Sequence, residues 1–334
     1  MSQLETGYDF RAANSQDIEN LLEIFNVYWE TLTGVVKFTI DDFNSILSAP
    51  GFDLGSSTLL ITGVDGDIVG TGLVIDLNSP PVHPIFYGCV QKGYEGRGIG
   101  SHLLAWGEGR ARQAIKRCPD DARVSMYVQA SQSHKPTINL LNRAGLTPIR
   151  YSWFMMRELA DRVTQPAWPD GLKLTTYQEY CDLEAILNAA DEAFEDHWGH
   201  VDRSGDPERI ERFRHSIESD PDFDPSIWYL VLDGDEIAGV ALCNPRLGPD
   251  RETGIVDVLG VRRHWRRKGL GLALLNHTFA EFLQRGYKRV GLGVDSQNLS
   301  GATRLYKKAG MEITSELVMY EKELRSGEEL GRQG

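Results

Sequence analysis

The chain repeats itself, and the repeat limits what it can fold into more than any other feature. Residues 254–261, GIVDVLGV, read as a strand that runs into RRKGLG at 266–271 and then into the amphipathic stretch LALLNHTFAEFLQRGY. Residues 95–100, EGRGIG, stand in nearly the same surroundings. Ahead of each junction lies an amphipathic helix. Ile18, Leu21, Leu22 and Phe25 share a face of the first, and Leu183, Ile186, Leu187, Ala190 and Phe194 a face of the second. A pair of short runs follows each helix and turns at an Asp-Gly pair, the pattern of a β-hairpin. After each junction come a further strand, RVSMYVQA or RVGLGVDS, and a short helix ending LNRAGL or YKKAGM. The same order twice predicts a duplicated domain of mixed α/β class, each copy a twisted mixed β-sheet flanked by helices. A length of 334 residues suits two domains. DRVTQPAWPDG, with two prolines and a terminal Asp-Gly, suits the linker. The expected division is a first domain over 1–160, a linker over 161–172 and a second domain over 173–334.

The glycine junctions predict an anion site. A strand that passes directly into a helix leaves the first helical N–H groups without partners, and the helix dipole adds about half a positive charge there. Glycines let consecutive amides approach a ligand closely. In RRKGLG, Gly269 and Gly271 serve that purpose around Leu270, while Arg266, Arg267 and Lys268 add formal charge. The junction reads as a cradle for a diphosphate. A Walker loop is absent, and neither glycine pair continues into the dinucleotide fingerprint, since Leu274 and Ser101 occupy the places near the third glycine.

The order R/Q-x-x-G-x-G/A after a strand resembles the coenzyme A motif of the GNAT (GCN5-related) acyltransferase superfamily, and Arg266-x-x-Gly269-x-Gly271 matches it in full. NLSGATRLYKKAGM resembles the second motif of that superfamily, with Asn298 and Tyr306 in the expected slots. The resemblance covers both halves, as in tandem GNAT proteins, of which mycothiol synthase is one kind. It implies an acetyl-CoA-dependent N-acetyltransferase that passes acetyl to a primary amine of a small molecule or peptide by direct attack on the thioester. It further implies that backbone groups of Leu259 and Val261 bind the pantetheine arm and polarise the thioester carbonyl, that Asn298 bonds the pantetheine or caps its helix, and that Tyr306 protonates the departing thiolate. Asp257 takes the place of a carboxylate base, with Glu195, Asp196 and His197 in AFEDHWGH as rivals and water as a possible relay. His197 and His200 have a metal-compatible spacing, but no third ligand is evident and the resemblance implies no metal. Lys307, Lys308 and Gly310 read as a helix end.

The two copies are not equivalent. Glu95 stands opposite Arg266 and Leu141 opposite Tyr306, so the first domain is expected to be a degenerate copy and the second the catalytic one. A coenzyme-binding sensor without transfer activity is the alternative from another class. A mycothiol-synthase-like enzyme acting on a cysteinyl amine is the narrower version of the first reading.

A net charge of −13 argues against binding to nucleic acid or an anionic membrane, both of which attract Lys and Arg. No run of about 18 apolar residues is present, and the N-terminus lacks the basic and apolar regions of a secretory signal, so the expected location is cytoplasmic. Cys89, Cys118, Cys181 and Cys243 are far apart and contain no CxxC pair, which suits reduced thiols. Monomer and homodimer both stay open.

Overall fold

In the computed structural model, which describes residues 7–159, 163–198, 200–201, 208–297 and 301–331, both hairpins turn where the sequence places Asp-Gly. Gly66 and Gly234 take φ of 84° and 60°, a region glycine enters at no steric cost. The first half runs β1 (Asp9–Arg11), α1 (Ile18–Thr33), α2 (Ile40–Leu47), α3 (Leu54–Ser57), β2 (Thr58–Thr62), β3 (Ile68–Ile75), β4 (Ile85–Val90), α4 (Ile99–Ala111), β5 (Val124–Ser131), α5 (Lys135–Arg143) and β6 (Thr147–Glu158). The second runs β7 (Lys173–Thr176), α6 (Tyr177–Tyr180), α7 (Leu183–Phe194), α8 (Arg209–Glu218), β8 (Trp228–Asp233), β9 (Glu236–Asn244), β10 (Thr253–Val261), α9 (Leu270–Gln284), β11 (Arg289–Asp295), α10 (Ala302–Lys308) and β12 (Glu312–Arg325).

The chain packs as two compact units that are not contiguous in sequence. One comprises Met1–Tyr151 with Glu316–Leu330, the other Ser152–Ser315 with Gly331–Gly334. In the first unit the strand order is β1-β2-β3-β4-β5-β12, and in the second β6-β11-β10-β9-β8-β7. The final strand of each half therefore belongs to the other unit. Leu317–Arg325 of β12 pair antiparallel with β5, and Ser152–Glu158 of β6 pair antiparallel with β11. The expected cut at a single linker thus differs from the observed division, because strand pairing and not linker composition decides which unit a segment joins. A proline-rich stretch marks a turn of the chain, whereas hydrogen-bond partners are set by register over long sequence distances.

Within each unit every strand pair is antiparallel except one. That pair is β4 with β5 in the first unit and β10 with β11 in the second. The parallel register is short. Thr253–Ile255 face Arg289–Gly291, and the two strands have no further matched residues, so the rest of β10 leans away and opens a wedge in the sheet. In the first unit only Ile85 and Phe86 are matched, with Tyr127 and Val128. β10 also carries a β-bulge: Val256 faces Cys243 and Val258 faces Leu242, leaving Asp257 as the extra residue. β4 keeps continuous register with β3 from Ile85 to Val90 and has no such bulge.

Apolar faces account for the packing. α7 begins at an Asp182 cap, whose carboxylate accepts from the Ala185 amide at 3.0 Å. It then buries Leu183, Ile186, Leu187 and Ala190 against the sheet. Of the apolar stripe Leu275, Phe279, Phe282 and Leu283, α9 buries the first three completely, with Leu274 beside them, while Leu283 is only partly covered. Gly254 makes room for it: a Cβ there would stand 2.3 Å from Phe282 Cε1. In the first unit Leu21 and Phe25 of α1 pack with Phe43, Leu60, Leu73 and Cys89.

Candidate active site

The phosphate loop of the second unit is built by backbone conformation. Arg267 has a φ of 62°, sparsely populated for a side chain of its size, and Gly269 follows at 87°. Two left-handed residues so close together turn successive amides toward one side, the geometry of an anion nest. Gly269 is the N-cap of α9, and no side chain caps the helix there. A Cβ at Gly269 would touch nothing, so this glycine is required for its φ. Gly271 is required for packing: a Cβ would lie 3.3 Å from Leu305 and 3.6 Å from Val261. Arg267 and Lys268 are exposed beside the cradle, while Leu270 is buried beneath it.

Arg266 is used differently from what the sequence suggests. Its guanidinium turns into the protein and donates from Nε to the Val261 carbonyl at 3.0 Å, from Nη2 to the Ala193 carbonyl at 3.0 Å and from Nη1 to Asp196 at 2.9 Å. Its neighbours do likewise. Arg262 donates to Glu192 at 2.7 Å and to the Ile237 carbonyl at 2.9 Å. Arg263 pairs with Glu195 at 2.9 Å and also with Asp196. The arginines hold Asp196 below the usual carboxylate range, Arg266 most strongly, so it stays ionised. Glu195 stands in an ion pair with Arg263. This ladder of Arg262, Arg263 and Arg266 against Glu192, Glu195 and Asp196 was present in the sequence as two charge clusters of opposite sign.

Asp257, on the bulge, is exposed while the preceding residues of β10 are buried. Protein nevertheless surrounds it closely, as on the floor of an open wedge. Loss of surrounding water, and then the charge of Asp220, push its carboxyl up to about 7. Asp220 is itself held by Arg246, a buried cation that contacts it at 3.3 Å and Asp222 at 2.7 Å; sequence reasoning gave no sign of this pair. Leu259 and Val261 lie further along the leaning part of β10, facing Ala241 and Gly239. The Val261 carbonyl already accepts from Arg266. Tyr306, on α10, is 7% exposed, and burial pushes its phenol up to about 12, so it is protonated at neutral pH. His197 packs edge-on to Phe194 at 4.5 Å, and burial followed by the Arg266 charge lowers its pKa. Asn298 lies outside the described residues. Among the described residues no group of three His, Cys, Asp and Glu side chains could hold a metal ion, and no helix is long and apolar enough to cross a membrane.

The first unit repeats the backbone with other side chains. Gly98 is the N-cap of α4 with φ 86° and no capping side chain, and Gly96 has φ 78°. Glu95 does not point into the cradle; it folds back to accept from the Gly93 amide at 2.7 Å. Arg97 donates to the Gly93 carbonyl at 3.1 Å and stacks over Tyr94. Leu141, opposite Tyr306, is buried at 1%. Phe86 stands near the place of Asp257 and presses on Gly88 and Gly107. A cavity of about 1900 Å³ adjoins this loop, lined by Tyr28, Tyr87, Arg97, Gln129 and Thr137 among others. Asp257 and Tyr306 have no counterpart in it, since Phe86 and Leu141 hold those places.

The comparisons agree with this architecture. The Acetyltransferase (GNAT) family matches at residues 19–145 and again at 183–311. A mycothiol acetyltransferase of Thermobispora bispora is 29% identical over 268 residues, 77% of this chain and 81% of the relative. One from Streptomyces scabiei is 28% identical over 79% of each chain. A GCN5-related N-acetyltransferase structure from Sphaerobacter thermophilus superposes with a TM-score of 0.78 at 27% identity, covering 98% of this chain and 99% of the other. A tandem GNAT protein from the clavulanic acid biosynthesis pathway superposes at 0.68 with 15% identity over 96% and 100%, a likeness of fold. With two matched repeats and paired anion cradles in two sheets that each open at a parallel strand pair, the chain belongs to the GNAT acetyltransferase family, as an N-acetyltransferase of tandem architecture.

Proposed function

We propose that the second unit transfers an acetyl group from acetyl-CoA to the primary amine of a small molecule. The observation that carries this is that one unit holds both a bulge carboxylate, Asp257, and a buried phenol, Tyr306, where its counterpart has Phe86 and Leu141. The amides of 267–272 hold the coenzyme's diphosphate at the uncapped end of α9, with Arg267 and Lys268 alongside. The free backbone of β10 around Leu259 aligns the pantetheine arm, and Asn298 bonds it from the segment before α10. Asp257 takes a proton from the nitrogen of the neutral amine as it attacks, with water contact giving that proton an exit. As the C–N bond forms and the C–S bond breaks, Tyr306 gives its proton to the departing sulfur and regains one from solvent. The relatives named mycothiol acetyltransferase support the narrower reading, in which the amine is a cysteinyl amine of a thiol sugar.

A second reading concerns the first unit. Its roomy cavity and intact glycine cradle favour binding of the coenzyme without transfer. Calorimetry with coenzyme A, together with thiol release from acetyl-CoA over a panel of amines, tests both. The expected result is amine-dependent release abolished by Asp257→Asn combined with Tyr306→Phe, with binding retained. Tight binding with a flat response to every amine would replace the enzyme by the sensor.

A further inference from the structure

The arginine of the phosphate loop makes no outward contact that its charge could serve. Each of its three donor directions is taken by a group on the side of α7 or at the end of β10: the Ala193 carbonyl, Asp196 and the Val261 carbonyl. These contacts close a ring. The last turn of α7 leads into the segment 195–198, and the end of β10 leads into the loop 262–269. Arg266 is the side chain that joins them through both a helix-end carbonyl and a strand-end carbonyl, and Asp196 fixes the third corner. A lysine could supply the same charge but not three divergent bonds in one plane. Gly260 brings the two elements together at the same point, since a Cβ there would stand 2.9 Å from Ala193 Cβ. The counterpart loop of the first unit has no such tie. Glu95 and Arg97 close it on Gly93, and α1 ends independently, with the Gly34 amide donating to the Glu30 carbonyl at 2.8 Å.

We infer that Arg266 and Asp196 form a positioning pair that fixes the segment after α7, with Glu195 and His197, to the coenzyme loop, so that the two are held as one rigid frame. This rests on the reading of the second unit as the transfer centre. Under it, Arg266 acts through Asp196 and backbone carbonyls and contributes little by charge to coenzyme affinity. The loop's anion binding comes from its amides and from Arg267 and Lys268.

Three variants of the full-length protein separate this from a charge role: Asp196→Asn, Arg266→Lys and Arg266→Gln. Asp196→Asn and Arg266→Lys are expected to raise the acceptor KM or lower kcat about tenfold, a loss of roughly 1.4 kcal/mol, while the dissociation constant for coenzyme A stays within twofold. Arg266→Gln, neutral but still able to donate to a carbonyl, should retain more activity than Arg266→Lys. The Asp196→Asn/Arg266→Lys double variant should be little worse than either alone, as expected for residues acting together. Amide hydrogen exchange gives a readout that needs no turnover: Asp196→Asn should speed exchange in both 193–198 and 262–269. The pair is overturned if Asp196→Asn leaves exchange in 262–269 unchanged. It is also overturned if Arg266→Gln weakens coenzyme binding tenfold while Arg266→Lys and Asp196→Asn leave it intact. Absence of transfer by the wild-type protein would instead remove the functional reading, and the exchange experiment would still decide the pair.

Discussion

Replacing Asp257 by asparagine is the sharpest test of the proposed chemistry, because its effect on pH dependence can be worked out in advance. Its carboxyl is pushed up to about 7, first by burial and then by Asp220. An ordinary aspartate, with a pKa of about 3.9, would be ionised throughout the usable range. For an alkyl amine acceptor, with a pKa of about 10, the neutral fraction rises tenfold per pH unit up to that point whatever the enzyme does. A base that titrates near 7 adds a second tenfold per unit below 7. The logarithm of kcat/KM should therefore climb with slope two from pH 5 to 7 and slope one from 7 to 9. In Asp257→Asn the break should vanish, leaving slope one, and kcat/KM at pH 8 should fall about 100-fold if the carboxylate is the general base. Initial rates of thiol release, with coenzyme saturating, measure this directly. A variant that keeps the break near 7 would hand the titration to another group, and a wild-type profile of uniform slope would dismiss a titrating base altogether. Stability carries the same sign. The folded carboxyl holds its proton to higher pH than the unfolded chain does, so stability falls as pH rises from about 4 toward 7. The asparagine variant should gain on the wild type across that window in denaturant midpoint, by less than the full shift implies because the side chain still meets water.

Other expectations follow from the same geometry. Tyr306→Phe should lower kcat about 100-fold while coenzyme affinity stays within twofold; unaltered turnover in a steady-state assay would remove the phenol from the reaction. Gly269→Ala forces a side chain to φ 87°, at a cost of about 1–2 kcal/mol. Part of that should appear in calorimetry as weaker coenzyme binding, and an unchanged dissociation constant would count against the cradle. Gly254→Ala would drive a Cβ to within 2.3 Å of Phe282. Overpacking of that kind costs about 1–3 kcal/mol, to be read from urea unfolding.

Much of this was legible in the sequence, for reasons that particular residues make plain. The repeat, the two Asp-Gly hairpins and the buried stripe Leu275, Phe279, Phe282 depend on local periodicity, and local periodicity is what a sequence displays. The left-handed turn at Gly269 was legible because only glycine enters it freely. Arg266 was read as a ligand for phosphate because a cation next to a cradle adds attraction. Two of its three bonds go to groups some 70 positions away, Asp196 and the Ala193 carbonyl, where no spacing rule reaches. The bulge at Asp257 was equally hidden, since an extra residue in one strand is defined only against its partner β9. The destinations of β6 and β12 depend on pairing between segments far apart in the chain and left no trace in composition.

That exchange of strands has a consequence for how the protein is made. Synthesis delivers β5 early, but the strand that covers it emerges only after β6 to β11 have been made. About 190 residues separate them, so at roughly 5–20 residues per second the β5 edge stands open for about 10–40 s. An uncovered edge is a template for wrong pairing. The N-terminal unit is thus completed only after the strands of the second half have been made, and a nascent chain stalled before residue 316 should aggregate through that edge. A gene split at the linker should give soluble protein only when both fragments are produced together, each lending the other its terminal strand.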